Sequence, residues 1–192
     1  MRRTNSERTD SMRTALIAAA RHLFVRKGYA DTSTPDIVTM AGVTRGALYH
    51  HFEDKKALFL AVVEQEAAAV ASQIETAGGP AGDPRAALIH GTRAYFDAME
   101  APGRTRLLLL DGPAVLGTAA LRAIDGEHAE AALKRGLFNL LTATGKPVDR
   151  VGAVTDLLSA AFDRAALAID AGGDRALYEQ AVEALIDGLL LR

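Results

Sequence analysis

The sequence predicts an all-α protein of about nine helices. Apolar residues recur at spacings of three and four along most of its 192 residues, and no segment of useful length alternates as a β-strand does. Glycine and proline cluster between these periodic segments, which is typical of short connections between helices. The length corresponds to one or two domains.

The composition is that of a soluble globular protein, 49% hydrophobic and 24% charged. Cysteine is absent, which excludes disulfides and thiolate metal sites. The longest apolar runs, such as Leu107 to Leu110, are too short to cross a bilayer, and no apolar stretch of a signal peptide follows the basic N-terminus. We therefore expect a cytoplasmic protein that does not contact membranes.

The first predicted helix begins at Asp10 or Ser11, either of which can cap it, and ends at about Lys27 before Gly28. One of its faces is apolar and is expected to enter the core. It consists of Leu16, Ile17, Ala20, Leu23 and Phe24.

Three hydroxyl residues at 32–34 can cap a second helix. Pro35 lies in its first turn, where a missing N–H costs nothing. Gly42 then permits a tight turn. A short helix followed by such a turn and another helix is the pattern of a helix-turn-helix.

Thr44 is expected to cap a third helix that runs from Arg45 to about Phe52. Leu48 and Phe52 are four residues apart and should face the core. The polar side chains of this helix then lie largely off the core face, and they are Arg45, Tyr49 and His50.

Asp54 is expected to cap a long fourth helix, which continues to about Ala77 and ends at a Gly- and Pro-rich linker over 78–84. The rest of the chain is again helical. We expect a kink at Asp111-Gly112-Pro113. The predicted helices span about 84–100, 104–116, 118–144, 149–171 and 174–191.

A helix-turn-helix places its second helix in the major groove of DNA, while flanking groups hold phosphates. An arginine in the first turn of this helix can donate hydrogen bonds to O6 and N7 of guanine. Small residues beside it let the helix backbone approach the DNA. The predicted DNA-binding residues are Thr32, Ser33, Thr44, Arg45, Gly46, Tyr49, His50 and Lys55, with Lys56 as a further phosphate contact.

Charge is unevenly distributed along the chain. Residues 1–60 carry ten basic and six acidic residues, a net of +4, while the remainder has 12 basic and 18 acidic residues. A basic head fits contact with phosphates, although segregation of surface charge by chance is an alternative. The pair His50-His51 does not predict a metal site, because adjacent helical residues diverge and no further ligand lies nearby.

The segments GVTRGALYHHFEDKKALF and ALIAAARHLFVRKGYADTS resemble the DNA-binding region of the tetracycline-repressor (TetR) family, over about residues 11–63. The resemblance implies an all-helical homodimeric regulator, usually a repressor, with a small-molecule inducer. It places a DNA-binding domain at 1–58, linked onward by the fourth helix to about 77, and a ligand-binding and dimerisation domain at 59–192. By position, it implies that Arg45, Gly46, Tyr49 and His50 lie in the DNA surface. It also implies that Thr32, Ser33 and Lys55 are phosphate contacts.

The last two helices are the predicted homodimer interface, although both of their apolar stripes could instead serve the core of one chain. The first stripe is Val151, Val154, Leu158, Ala161, Ala165 and Ala168. The second stripe is Leu177, Ala181, Ala184, Gly188 and Leu191. A two-fold dimer would double the number of base pairs that are contacted, which favours a palindromic operator.

The C-terminal region is also expected to hold a ligand. Polar residues within apolar helices are candidates for contact with it: His90, Arg93, Tyr95, Asp111, His128, Asn139, Asp163 and Arg164. Apolar candidates are Phe96, Leu108, Phe138 and Phe162. Because alanine and leucine dominate these helices, we expect a small and largely apolar ligand and no cofactor.

The predicted function is therefore a sequence-specific, ligand-responsive transcriptional regulator. The alternatives are a helical protein-interaction module and an all-helical enzyme. Against an enzyme, the sequence has no Gly-rich phosphate loop and no metal-binding spacing of His and carboxylate. His128 with Glu127 and Glu130 is the nearest imitation, and its spacing is that of a solvated charged face.

Overall fold

The computed structural model describes residues 5–78 and 82–191, with side chains from Thr9 onward. These residues are helical apart from short connections and contain no β-strand, so the all-α prediction is confirmed. Residues 79–81 of the predicted linker and the basic residues Arg2 and Arg3 lie outside the described residues.

The helices follow one another in the predicted order. They are α1 (Asn5–Lys27), α2 (Thr34–Ala41), α3 (Arg45–His51), α4 (Lys55–Ala77), α5 (Pro84–Met99), α6 (Arg104–Arg106), α7 (Gly112–Leu116), α8 (Thr118–Glu127), α9 (Ala129–Ala143), α10 (Val151–Asp170) and α11 (Arg175–Gly188). A π-helical segment, Leu107–Asp111, lies between α6 and α7.

The predicted number of helices is close to the observed one, and three details differ. Helix α1 begins at Asn5, earlier than the predicted cap. The predicted helix over 118–144 is two helices, because His128 leaves the helical conformation with φ −122° and ψ −110°. The expected kink near Pro113 is a π-helical turn, which accommodates the missing N–H and the bulk of the proline ring.

The chain folds as two compact units. The first, here called the head, comprises residues 1–66 and 106–120, and the second, the body, comprises residues 67–105 and 121–192. The predicted functional division between residues 58 and 59 stays a prediction.

The core of the head forms where α1 packs against α2 and α3. The predicted apolar face of α1 is buried, with Leu16 and Phe24 fully inaccessible. The ring of Phe59 meets the rings of Phe24 at 5.1 Å and Tyr29 at 5.0 Å between centroids. These contacts hold α1 and α4 in place behind the short helices α2 and α3.

Four helices of the body pack in a closed ring, in which α5 contacts α9, α9 contacts α10, α10 contacts α11 and α11 contacts α5. Their inner faces carry the large buried side chains Phe96, Leu137, Leu140, Phe162 and Ile186. A cavity lies between α5, α9 and α10, and residues of α4 and α8 complete its wall.

Among the described helices, α4 is long and apolar enough to span a bilayer by composition. The interior of the protein covers 44% of its most apolar window. Leu58, Phe59, Val62 and Val63 are almost fully buried. Its hydropathy is thus that of a core helix.

Candidate functional site

The turn between α2 and α3 is fixed by local hydrogen bonds. Ser33 caps α2, with Oγ accepting the Asp36 N–H at 3.2 Å. Gly42 adopts the left-handed conformation with φ 66°, and the Val43 N–H donates to the Val38 carbonyl at 3.1 Å. An added Cβ at Gly42 would meet no atom within 4 Å, so glycine is favoured there by its backbone and not by space.

Helix α3 buries one face and exposes the other. Thr44 caps it by accepting the Ala47 N–H at 3.2 Å. Leu48 is 0% exposed and Phe52 is 5% exposed, as their spacing predicts. The opposite face is exposed and consists of Arg45, Gly46, Tyr49 and His50.

Arg45 and Tyr49 interact on the exposed face of α3. The guanidinium carbon of Arg45 lies 5.5 Å from the centroid of the Tyr49 ring. Hydrogen bonds with Thr34, and then with Arg45, hold the pKa of Tyr49 below its usual value. These contacts restrain both side chains in orientations that project from the surface.

Two of the predicted phosphate contacts are used inside the head. Thr32 is 1% exposed, and its hydroxyl donates to the Gly28 carbonyl at 2.7 Å. The Lys55 ammonium donates to the carbonyls of Tyr29 at 2.8 Å and Thr32 at 2.9 Å. It also lies 4.2 Å from the centroid of the Tyr29 ring.

Burial corrects the sequence-based role of Thr32, because its hydroxyl lies inside the connection between α1 and α2. Lys55 is half-buried, and its contact with phosphate stays a prediction. The other two predicted phosphate contacts, Ser33 and Lys56, are exposed.

The body contains a cavity of about 460 Å³. One part of its wall is apolar and aromatic, formed by residues such as Leu88, Leu133, Tyr95 and Phe162. Another part carries the carboxyl groups of Asp125, Glu130 and Asp163. A volume of this size suits a small organic ligand.

Few groups partner the carboxylates of the cavity. Asp163 Oδ1 accepts a 2.8 Å hydrogen bond from the Tyr95 hydroxyl, and Asp125 Oδ2 accepts a 3.4 Å hydrogen bond from Ser159. Burial raises the pKa of Asp163 to about 6 and also raises that of Asp125. Burial, followed by repulsion from Asp125, raises the pKa of Glu130.

Three of the predicted ligand-binding residues line this cavity, and they are Tyr95, Asn139 and Phe162. Asp163, considered with them, lines it as well. Phe138 is 48% exposed and lies in an adjoining surface depression. Phe96 is buried behind the wall, with its ring 5.5 Å from that of Tyr95.

The other six candidates, which include His128 and Arg164, do not line the cavity. His90 and Arg93 lie on the exposed face of α5, where His90 Nδ1 is 2.9 Å from the Ala86 carbonyl and Arg93 is 3.8 Å from Glu179. Leu108 and Asp111 belong to the head, where Asp111 forms an ion pair with Arg106 at 3.2 Å. The sequence does not reveal which polar face of an amphipathic helix is turned inward.

Sequence reasoning missed Asp125, Glu130 and Ser159. Glu130 was interpreted as part of a solvated face, yet it is half-buried and lines the cavity. The available signal was the spacing of Ser159, Phe162 and Asp163, which places these three residues on one face of α10.

The structure separates the two predicted dimer stripes. On α11, the predicted residues are exposed, and Leu177 is 62% accessible. On α10, Leu158 and Ala165 are buried within the chain, which corrects their predicted role between chains. The exposed leucine of α10 is Leu157, at 73% accessibility.

No metal centre is found in the part of the chain that the structure describes, since no three His or carboxylate side chains converge as ligands. The His50 and His51 ring centroids are 5.4 Å apart and the rings are inclined at 72°.

Two protein-family descriptions match the chain. "Bacterial regulatory proteins, tetR family" matches residues 16–62, and "Tetracyclin repressor-like, C-terminal domain" matches residues 85–191. The first covers the helix-turn-helix and the second covers most of the body, so the family resemblance predicted from residues 11–63 is confirmed.

Named relatives are similar to this chain over about a third to a half of its length. The repressor BepR from Brucella suis is 41% identical over 63 residues, which cover 33% of this chain and 30% of BepR. The activator FasR from Mycolicibacterium smegmatis is 34% identical over 99 residues, which cover 52% of this chain and 45% of FasR. The chain thus spans less than half the length of these relatives.

A similarity over the full length comes from a crystal structure of a TetR-family transcriptional regulator from Pectobacterium atrosepticum. It is 34% identical to this chain, has a TM-score of 0.75 and covers 99% of both chains. These relatives are transcriptional regulators and not enzymes, as predicted. With family matches over both the helix-turn-helix and the body, the chain belongs to the TetR family of bacterial regulatory proteins.

Proposed function

We propose that this protein is a sequence-specific DNA-binding regulator of transcription, a cytoplasmic homodimeric repressor released from its operator by a small ligand. The observation that carries the proposal is the two-faced character of α3. Leu48 on its inner face is fully buried, while Arg45, Gly46, Tyr49 and His50 on its outer face are exposed.

The outer face of α3 has the chemistry needed to read a major groove. Arg45 lies in the first turn, where its guanidinium can take the O6 and N7 acceptors of guanine. Gly46 has no side chain that would keep DNA away from the backbone beside Arg45. The surrounding space is open, since an added Cβ would meet only the Thr44 hydroxyl at 3.9 Å. Tyr49 and His50 lie further along the helix, in reach of thymine methyl groups or phosphates.

Phosphate contacts would come from groups at the starts of three helices. Ser33 and Thr44 are exposed caps of α2 and α3. Lys56 is exposed in the first turn of α4. Their hydroxyl and ammonium groups, together with the free N–H groups of the first helical turns, suit anionic oxygens.

Regulation would follow from ligand binding in the body. A ligand that binds better to one conformation shifts the population towards it. We propose that occupation of the cavity favours a conformation in which the two heads of the dimer no longer match successive major grooves. The ligand would be small enough for a cavity of about 460 Å³ and would have a largely apolar body.

The direction of regulation is part of the proposal. BepR is a repressor and FasR is an activator, so the named relatives support regulation of either sign. Repression is the outcome implied by the family resemblance. A reporter gene behind the operator, measured with and without this protein, should give lower expression when the protein is present.

The test of DNA reading is binding to the promoter region beside the protein's own coding sequence. Fluorescence anisotropy across a salt series should show specific binding that weakens steeply with salt. Arg45→Ala should reduce the preference for this DNA over a random duplex by about 1–3 kcal/mol. Arg26→Ala, which removes an exposed arginine from the end of α1, is the matched control and should leave the preference unchanged.

Equal affinity of the unmodified protein for the promoter and for random DNA would contradict the proposal. If Arg45→Ala and Arg26→Ala had the same effect on specificity, α3 would not be the reading helix.

A further inference from the structure

We propose that the cavity of the body binds an organic cation, a small molecule with an apolar part and one ammonium- or guanidinium-type group held by Asp125, Glu130 and Asp163. The inference rests on the proposed function, because it assigns a chemical class to the ligand of that regulator. It goes beyond the largely apolar ligand predicted from the sequence by adding a positive charge.

The charges that line the cavity are strongly one-sided. Four carboxylates, Glu75, Asp125, Glu130 and Asp163, face a single basic side chain, Arg135. The Arg135 guanidinium is already paired with Glu75 at 3.2 Å, and both side chains are mostly exposed. The three remaining carboxylates therefore have no cation in the cavity wall.

Neutral donors satisfy these carboxylates only in part. Asp163 accepts a hydrogen bond from the Tyr95 hydroxyl at 2.8 Å, and Asp125 accepts hydrogen bonds from the Ser159 hydroxyl at 3.4 Å and from the backbone N–H of Glu130. The pKa values of all three acids are raised, and burial is the main cause. His128 beside Asp125, and Arg122 and Lys134 beside Glu130, lie outside the cavity wall and offset the loss of water only in part. A cationic ligand would supply the missing counter-charge.

The wall beside the carboxylates is aromatic. The rings of Tyr95 and Phe162 have centroids 5.9 Å apart, and both residues line the cavity. Aromatic faces next to carboxylates suit alkylammonium groups, because the ring quadrupole and the negative charge attract the same cation. Leu88 and Leu133 provide apolar surface for the rest of the ligand.

A metal ion suits this cavity less well. Among the residues that the structure describes, no three acidic or histidine side chains are close enough together to form a metal site. An anionic ligand would meet repulsion from the three carboxylates. An organic cation is the class that both the charge and the aromatic wall favour.

The test uses the full-length protein and two pairs of probes that differ in charge but not in shape. Phenyltrimethylammonium is compared with tert-butylbenzene, and benzyltrimethylammonium with neopentylbenzene, by isothermal titration calorimetry. Para-tert-butylbenzoate and magnesium chloride are additional probes. Each cation should bind roughly tenfold or more tightly than its neutral isostere, because the carboxylates and the aromatic rings attract the charged probe.

Variants locate the effect in the cavity. Asp125→Asn combined with Asp163→Asn should abolish the preference for the cation while leaving binding of the neutral isostere unchanged. Asp149→Asn removes an exposed carboxylate of the body outside the cavity and is the matched control. Circular dichroism of each variant ensures that any loss of binding is not a loss of folding.

The inference is wrong if the cations bind no more tightly than their isosteres, if benzoate or magnesium binds best, or if the double variant keeps the preference. DNA binding is measured separately on the same protein without probes. Specific promoter binding with no preference for cations contradicts only the inference, whereas a preference for cations without promoter binding contradicts only the proposed function.

Discussion

The hydroxyl of Tyr95 lies 2.8 Å from Oδ1 of Asp163, and this contact joins α5 to α10 across the wall of the cavity. Burial raises the pKa of both groups, to about 6 for Asp163 and well above its usual value for Tyr95. At neutral pH the aspartate is therefore ionised in a site that disfavours its charge, with Asp125 and Glu130 adding repulsion.

Replacing this charge should stabilise the protein. In the folded protein the pKa of Asp163 is about 6, above its ordinary value of 3.8. The carboxyl group therefore contributes to folding stability fully below pH 3.8, and this contribution is lost as the pH rises through 6. Asp163→Asn keeps an acceptor for Tyr95 and should raise the free energy of unfolding by about 1–3 kcal/mol at pH 8. Denaturant unfolding at several pH values measures this gain.

The gain should shrink towards zero below about pH 4, where the folded and unfolded carboxyl groups are both protonated. Asp149→Asn, at an exposed position, should change stability little at any pH. A variant that is less stable than the unmodified protein at pH 8 would show that the buried charge is compensated by a partner.

The ion pair between Arg21 and Glu66 should be a major contribution to the stability of the head. Arg21 Nε and Nη2 contact the two oxygens of Glu66 at 2.8 and 3.1 Å, and the Glu66 side chain is only 6% exposed. Arg21→Ala removes two charged hydrogen bonds from a buried carboxylate and should cost about 3 kcal/mol of unfolding free energy. Arg21→Lys keeps the positive charge but not the bidentate geometry, so it should lose less unfolding free energy than Arg21→Ala.

The pair between Lys27 and Asp36 provides the comparison, because it has a similar length of 3.0 Å but both side chains are more than 40% exposed. Lys27→Ala should shift the thermal midpoint far less than Arg21→Ala does. Equal shifts would mean that burial does not decide the contribution of these pairs.

Two adjacent lysines at the start of α4 should have separate roles. The Lys55 ammonium bonds two carbonyls of the connection between α1 and α2. Lys55→Ala should therefore lower stability by about 1–3 kcal/mol, because both carbonyls lose a charged donor. Lys56→Ala should preserve stability and weaken binding to all DNA sequences alike, with a smaller salt dependence.

Thermal unfolding and a salt series of DNA binding, applied to both variants, distinguish these roles. If Lys55→Ala left stability intact and weakened DNA binding alone, the carbonyl contacts would be dispensable and Lys55 would act as the phosphate contact predicted from the sequence.

The head was predictable because its determinants are local. The caps Ser33 and Thr44, the positive φ of Gly42 and the spacing of Leu48 and Phe52 each follow from short stretches of sequence. The phosphate role of Thr32 was wrong, and the internal contacts of Lys55 were not predicted, because their partners are backbone carbonyls that only the folded connection brings within reach.

The cavity was predictable only in part, because its wall depends on how the helices that line it are rotated about their axes. All of them have apolar faces, so periodicity identifies the core but not the polar residues beside it. His90 faces solvent, whereas Glu130 lines the cavity, although both lie in amphipathic helices with similar spacing. Helix–helix rotation is set by packing across the body and not by local sequence.

The exposed apolar face of α11 should be the site of dimerisation. Leu177 and Leu185 are 62% and 52% accessible, and Ala181, Ala184 and Gly188 between and beside them are also exposed. A second copy of this chain could cover that face with close helix packing, because the small residues leave room for it. Leu185→Glu should therefore convert a micromolar dimer to a monomer, as measured by analytical ultracentrifugation.

The same variant should lose operator affinity by roughly a hundredfold or more, since one head alone cannot gain from the second half-site. Leu110→Glu introduces the same charge at a leucine of the head that is 53% exposed, and should leave the oligomeric state unchanged. If the Leu185 variant remained dimeric, the exposed Leu157 of α10 would be the next position to test. If both leucine variants remained dimeric, the interface would lie outside the last two helices.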